Sequence, residues 1–157
     1  MRERILSAMV MAGLIGAAGI SPMALADGHK NTAVQGAVDF RESTMTIYKW
    51  YLQPMGGMVK GKVPFNKEVF KQKADGLAWA ASLNLLEGFP KGSMHDTEAK
   101  AEIWERWDDF QAKYETLKTE SAKLQQVAAG GDVAAIKAQF AQTAKSCKGC
   151  HQAFREK

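Results

Sequence analysis

The chain has 157 residues, with 21 lysines and arginines against 17 aspartates and glutamates, for a formal net charge of +4. This length allows one domain. The positive charge is small and spread along the sequence without a block of Lys or Arg, so we expect no nucleic-acid partner.

The N-terminal segment Met1–Ala26 has the features of a cleavable export signal. Two arginines precede an uncharged, mostly apolar run from residue 5 to residue 20, and Ala24-Leu25-Ala26 is a small-x-small cleavage site. The apolar run is shorter than the ~20 residues that a transmembrane helix needs. We therefore expect an exported protein with no membrane anchor after cleavage, whose mature domain is residues 27–157.

The mature domain contains four segments in which apolar residues recur at alternating steps of three and four, the spacing of an amphipathic helix. They run from about residue 34 to 55, 66 to 86, 96 to 129 and 132 to 156. Four such helices with short connections predict an all-α fold, an antiparallel four-helix bundle. The expected core positions include Val38, Arg41, Met45, Tyr48, Val69, Phe70, Asn84, Ser121, Thr143, Cys147 and Cys150.

Glycine, proline and capping residues mark the ends of these segments. Pro54 and the glycines after it predict the end or a kink of the first helix. The predicted N-caps and turns are Asn66 for the second helix, Asp96 or Thr97 for the third, and Gly130-Gly131-Asp132 before the fourth.

The motif Cys147-Lys148-Gly149-Cys150-His151 is the pattern for covalent attachment of a c-type haem. The two thiols add to the porphyrin vinyl groups, and the neighbouring imidazole reaches the iron. On a helix, positions 147, 150 and 151 fall within an arc of about 100°, so all three side chains can face one flat ligand. The motif therefore predicts one covalently attached haem c with its iron.

Two other interpretations of the cysteines are weaker. A thioredoxin-like redox pair would need a βαβ pattern, and no strand is predicted. A structural zinc site needs four ligands, and the two remaining histidines, His29 and His95, lack the usual paired spacing.

The order of the motifs resembles that of the class II c-type cytochromes, the cytochrome c′ family. The resemblance covers residues 31–157 and rests on Phe40–Met45, Val59–Pro64, Glu102-Ile103-Trp104 with Phe110, and the C-terminal signature Ser146–Arg155. It implies a left-handed four-helix bundle in the periplasm, with haem c on the fourth helix and His151 as the proximal axial ligand. It also implies that Arg41 and Glu42 lie near a haem propionate, and that Arg155 lies on the proximal side.

Met45 occupies the family position that faces the other side of the iron. In high-spin members this position holds a non-ligating residue such as Leu, Phe or Tyr, and the iron admits gases such as nitric oxide. In low-spin members a Met there is the sixth ligand, which favours ferrous iron and suits electron transfer. Met45 is also a plausible core filler, Met55 and Met58 are the other candidate ligands, and Tyr48 could hydrogen-bond a bound gas.

The main prediction is a periplasmic monohaem cytochrome that exchanges electrons with periplasmic redox partner proteins through His151/Met45-ligated iron. The alternative is a five-coordinate protein that binds nitric oxide or carbon monoxide. The acids of the third segment lie beside bases at helical spacing, which is typical of a solvated face, so we expect no enzymatic activity. The resemblance also implies a homodimer through the first and second helices, for which Trp50 and Tyr51 are candidate contacts.

Overall fold

The structure, a computed structural model, describes residues 22–95 and 97–156, with side chains from residue 33 onwards. The expected leader Met1–Ala26 lies mostly outside these residues, so the domain boundary at residue 27 stays a prediction. The helices are α1 (Pro22–Val59), α2 (Lys67–Ser82), α3 (Glu102–Glu105), α4 (Trp107–Gly130) and α5 (Val133–Phe154). None of the helices in the described part of the chain is long and apolar enough to cross a membrane.

The four long helices α1, α2, α4 and α5 form the predicted antiparallel bundle. Each packs broadly against the next one along the chain, whereas α1 and α5 meet only sparsely. The bundle therefore has an open flank between its first and last helices. The core between the helices is dense, with fully buried Phe70, Met55, Leu77, Ile103, Leu124 and Ile136.

Helix caps follow the predicted punctuation at α2, α4 and α5. The Asn66 side chain accepts a hydrogen bond from the Val69 amide at 3.0 Å and begins α2. Gly131 ends α4 with a φ of 74°, a left-handed conformation that glycine adopts without strain. The Asp132 side chain accepts from the Ala134 amide at 2.9 Å and begins α5.

The first helix continues past Pro54 and the glycine pair, so the earlier of its predicted stops is wrong and the last of the predicted glycines ends it. It closes instead at Gly61, whose φ is 68°, with the Lys62 amide bonded to the Gly57 carbonyl and the Gly61 amide to that of Met58. Met55 and Met58 are buried. Burying each stabilises the extra turns by about 1.5–3 kcal/mol, which together offsets the ~3 kcal/mol cost of an internal proline.

The predicted third helix also begins too early. Asp96 lies outside the described residues, and Thr97 caps only a local turn, so that helical structure begins at Glu102 and breaks at Arg106. The preceding segment is held extended because the Lys100 amide bonds to the Phe154 carbonyl at 3.0 Å. Pairing with the C-terminal residues therefore replaces the first turns of the predicted helix.

The second helix ends earlier than predicted, at Ser82. The Tyr114 hydroxyl donates to the Ala81 carbonyl and accepts from the Leu85 amide, so it occupies the groups that would continue the helix. Two predicted core positions are wrong here, since Val69 is 38% exposed and Asn84 is exposed.

Candidate functional site

Helix α5 brings Cys147, Cys150 and His151 to one face at the open flank. Both cysteines are free and half-buried, and both pack against the hydrophobic core. Burial raises the pKa of both thiols, that of Cys150 to about 11. At neutral pH they are therefore protonated thiols rather than reactive thiolates.

His151 lies on the exposed side of this face. Desolvation where its ring meets the protein lowers its pKa, and the positive charge of Arg155 lowers it further, against a smaller opposing effect of Glu98. The imidazole is thus neutral at pH 7, the form in which a histidine nitrogen binds a metal.

The register of α1 against α5 puts Met45 near the level of His151 along the bundle. A Cβ atom on Gly56 would lie 3.5 Å from Phe140 Cζ, which marks the level at which the helices touch. Met45 comes eleven residues before Gly56, and His151 eleven after Phe140. Because the two helices are antiparallel, Met45 and His151 both lie about 16 Å along the bundle from the Gly56–Phe140 contact, in the same direction. Met45 is half-buried there, against the edge of the core.

The other two candidate methionines lie at the far end of the flank. Met55 is adjacent to Gly56 in the sequence and fully buried. The Met58 sulfur accepts a hydrogen bond from the Asn66 amide at 3.4 Å. The structure therefore does not bring either of them to His151.

Arg41 is buried and holds the loop that follows the 3-10 turn Leu85–Gly88. Its Nη1 donates to the Gly88 carbonyl and to Ser93 Oγ, both at 2.9 Å, and its Nη2 donates to the Ser93 carbonyl at 2.6 Å. Its guanidinium carbon lies 4.9 Å from the centre of the Phe89 ring. Burial lowers the pKa of Arg41, against the opposing effect of Glu42.

Of the three guanidinium nitrogens of Arg41, Nε alone has no partner among the described residues. Contact between Arg41 and a haem propionate remains a prediction, and the loop clamp is a role that the sequence analysis missed. A signal was present, since an arginine at a core position requires buried acceptors. Glu42 points to the surface beside Asp39 and Thr46, and its predicted role also remains open.

Tyr48 lies one turn after Met45 and next to the haem motif. It is 6% exposed, and its hydroxyl has no hydrogen-bond partner within the described part of the chain. Burial, with smaller effects of Tyr114 and Cys147, raises the pKa of this phenol. The hydroxyl is therefore a buried donor close to the level of Cys147.

These features fit haem c. The open flank between α1 and α5 gives room for a large apolar ring, and the two free, half-buried thiols stand at its edge beside the neutral imidazole of His151. Cys147 and Cys150 would hold the group covalently and the neutral imidazole of His151 would bind its iron. When bound, haem supplies an iron centre that changes oxidation state and accepts axial ligands.

The sequence matches the family model described as Cytochrome C′ over residues 36–155. It is 35% identical to cytochrome c′ of Halomonas halodenitrificans, over 77% of this chain and 96% of that protein. It is 34% identical to cytochrome c-554 of Cereibacter sphaeroides, over 79% of this chain and 96% of that protein.

Solved structures of cytochromes c prime have the same fold as this chain. Cytochrome c prime from Shewanella frigidimarina superposes with a TM-score of 0.76 at 37% identity, over 79% of this chain and 97% of that one. Cytochrome c prime mutants from Alcaligenes xylosoxidans, solved as nitric oxide and carbon monoxide complexes, superpose with a TM-score of 0.72 at 29% identity, over 79% and 97% of the two chains. The chain therefore belongs to the cytochrome c′ family and carries covalently bound haem c.

Proposed function

We propose that this protein is a periplasmic cytochrome c′ that binds a small diatomic gas, nitric oxide or carbon monoxide, on the side lined by Met45 and Tyr48. The observation that carries the proposal is the buried Tyr48 hydroxyl, which has no partner among the described residues. An unsatisfied buried hydroxyl costs about 1–3 kcal/mol. A gas bound beside it would accept its hydrogen bond and remove that cost.

Met45 would form part of the wall of this gas site. It is half-buried and lies at the level of His151, and a methionine side chain is flexible enough to move aside for a small ligand. The gas complexes of the Alcaligenes xylosoxidans relative support the same class of ligand for this chain.

A second candidate function is electron transfer with His151 and Met45 as axial ligands. It is favoured by the level of Met45 along the bundle, close to that of His151, and by the Met45 sulfur, which accepts no hydrogen bond from the described residues, whereas the Met58 sulfur does. A thioether ligand would fill the site that a gas needs and would raise the reduction potential. The two functions therefore exclude each other in the resting protein.

Electron paramagnetic resonance of the ferric, haem-loaded protein distinguishes them. The gas-binding proposal predicts a high-spin signal that is unchanged in Met45→Leu. A low-spin signal that becomes high-spin in Met45→Leu, but not in the control Met58→Leu, would establish the electron-transfer candidate instead.

We further propose that the protein forms a homodimer through α1 and α2. Of the two predicted contacts, Trp50 on α1 is 67% exposed, whereas Tyr51 is half-buried with its ring against Gly76. Trp79 on α2 is 61% exposed, and Lys73 Nζ lies 4.9 Å from the centre of the Trp50 ring. Exposed aromatic surface of this kind is typical of protein interfaces. Sedimentation velocity of the wild type and of Trp50→Ser/Trp79→Ser should give a dimer and a monomer respectively, and a monomeric wild type would exclude the dimer.

A further inference from the structure

Two stretches of chain that border the open flank carry lysines and no acid. No Asp or Glu occurs from Ser43 to Lys67, or from Val133 to Arg155. The first stretch covers the second half of α1 and the turn after it, and the second covers α5. The lysines of these stretches are all exposed, and none forms an ion pair among the described residues: Lys49, Lys60, Lys62, Lys67, Lys137, Lys145 and Lys148.

The other long helices are different. Apart from Lys67 at the start of α2, several lysines of α2 and α4 pair with an acid on the same helix, as in Lys71–Asp75, Lys118–Glu115 and Lys123–Glu120, each at 2.9 Å. The positive charge, which is spread along the sequence, is therefore concentrated on one side of the folded protein.

Four of the unpaired lysines surround the open flank. Relative to the contact of Gly56 with Phe140, Lys49 and Lys148 lie about 10 and 12 Å along the bundle in one direction. In the other direction, Lys60 and Lys137 lie about 6 and 4 Å away. Around their helix axes, the α1 pair lies within about 40° of Gly56 and the α5 pair within about 80° of Phe140.

We call these residues, Lys49, Lys60, Lys137 and Lys148, the four-lysine frame. Separate solvated lysines would be unremarkable on a protein surface. Here the two lysines of α1 lie across the flank from the two lysines of α5, with no acid between them. Their positive charges repel one another, which favours binding of an external anionic group. The nearest acid on the α1 side, Glu42, lies beyond the frame towards the start of the helix.

We propose that the four-lysine frame is the docking surface for an acidic one-electron carrier protein. Complementary charge raises the rate of encounter and fixes the orientation of the two proteins. The flank at the Lys49–Lys148 edge of the frame carries Cys147, and Cys150 follows about 3 Å further along the bundle. A carrier seated on the frame would therefore lie beside the haem. The carrier would be oxidised by one electron and the haem iron would be reduced from ferric to ferrous, with no bond formed or broken and no proton transferred. The proposal rests on haem c at this flank and does not depend on gas binding.

The test uses the ferric holoprotein and reduced flavodoxin as an acidic one-electron donor, with the bimolecular rate followed by stopped flow. At low ionic strength, K49E/K148E should react roughly tenfold more slowly than the wild type, within the range that electrostatic steering provides. The control K118E/K123E makes the same change in net charge on α4 and should keep most of the wild-type rate. Carbodiimide cross-linking to flavodoxin, read by peptide mapping, should occur at the frame.

Equal slowing of both variants would overturn the proposal, because net charge alone would then explain the rate. Cross-links confined to lysines outside the frame would also overturn it. If the frame variant lost only its binding to phosphatidylcholine–phosphatidylglycerol vesicles and kept its flavodoxin rate, the surface would be a lipid contact and not a protein site. Carbon monoxide binding by wild-type ferrous protein is measured separately, so failure of the gas-binding proposal leaves this test unaffected.

Discussion

Replacing Arg41 with methionine should destabilise the protein severely, because the structure gives this arginine a structural role. The substitution keeps a long apolar stem and removes the guanidinium, which makes three hydrogen bonds of 2.6 to 2.9 Å to Gly88 and Ser93. It also removes the contact with the Phe89 ring. The loop after α2 would keep the packing of Gly88 against α1 but lose its hydrogen bonds to Arg41.

The magnitude follows from the groups left behind. The carbonyls of Gly88 and Ser93 lie on buried residues, and a buried acceptor that loses its partner costs about 1–3 kcal/mol. Two such carbonyls give about 2–6 kcal/mol, and breaking a buried charged contact costs about 3–5 kcal/mol in general. We expect a loss of about 4 kcal/mol, a large part of the 5–15 kcal/mol typical of domains. Ser93→Ala, which removes only the hydroxyl acceptor, should cost about 1 kcal/mol.

The assay is guanidinium chloride unfolding of the holoprotein, followed by circular dichroism and by haem absorbance. The structural role predicts a lower midpoint for Arg41→Met with a nearly unchanged native haem spectrum. A loss below 1 kcal/mol together with an altered haem spectrum would refute this reasoning. Arg41 would then act mainly on a haem propionate, as the family resemblance implies.

Three further predictions concern glycines, a helix cap and acid stability. Gly76→Ala should lower the free energy of unfolding by about 1–3 kcal/mol, because the new Cβ would overlap the Tyr51 ring. Gly36→Ala, whose Cβ would have nothing within 4 Å, should raise it by about 0.5–1 kcal/mol, and guanidinium chloride unfolding measures both. Asn66→Ala should lower stability by about 1 kcal/mol through loss of the cap on α2, and an unchanged urea midpoint would show that the cap contributes nothing. A hydrogen bond from Lys71 lowers the pKa of Asp75. The folded state therefore binds fewer protons, and this small stabilisation is present above pH ~4 and lost below it. The wild type should lose more stability between pH 6 and pH 3 than Asp75→Asn, and equal losses in the two proteins would contradict this role of Asp75.

Apolar spacing predicted the helices because a residue is buried when it lies on the inner face of its helix, whether its side chain is apolar or polar. Ser121 and Thr143 are polar, yet both are fully buried at predicted core positions. Thr143 is accommodated because its hydroxyl donates to the Glu120 carbonyl at 3.1 Å. The haem motif could be recognised for a related reason, since its spacing is set by local helix geometry.

Features that depend on distant parts of the chain could not be predicted in this way. The start of the third helix is displaced by pairing between Lys100 and Phe154, which are far apart in sequence. The Arg41 clamp joins α1 to a loop about fifty residues later. The charge asymmetry of the four-lysine frame likewise exists only after α1 and α5 are brought side by side.

Titration of the ferrous, haem-loaded protein with carbon monoxide, followed in the Soret band, tests the central claim most directly. The claim is that the side of the haem lined by Met45 and Tyr48 is open to a diatomic gas. It predicts a saturable spectral change in the wild type, with faster gas dissociation in Tyr48→Phe. A wild-type spectrum that carbon monoxide leaves unchanged, and that responds only in Met45→Leu, would contradict it and identify Met45 as the sixth ligand.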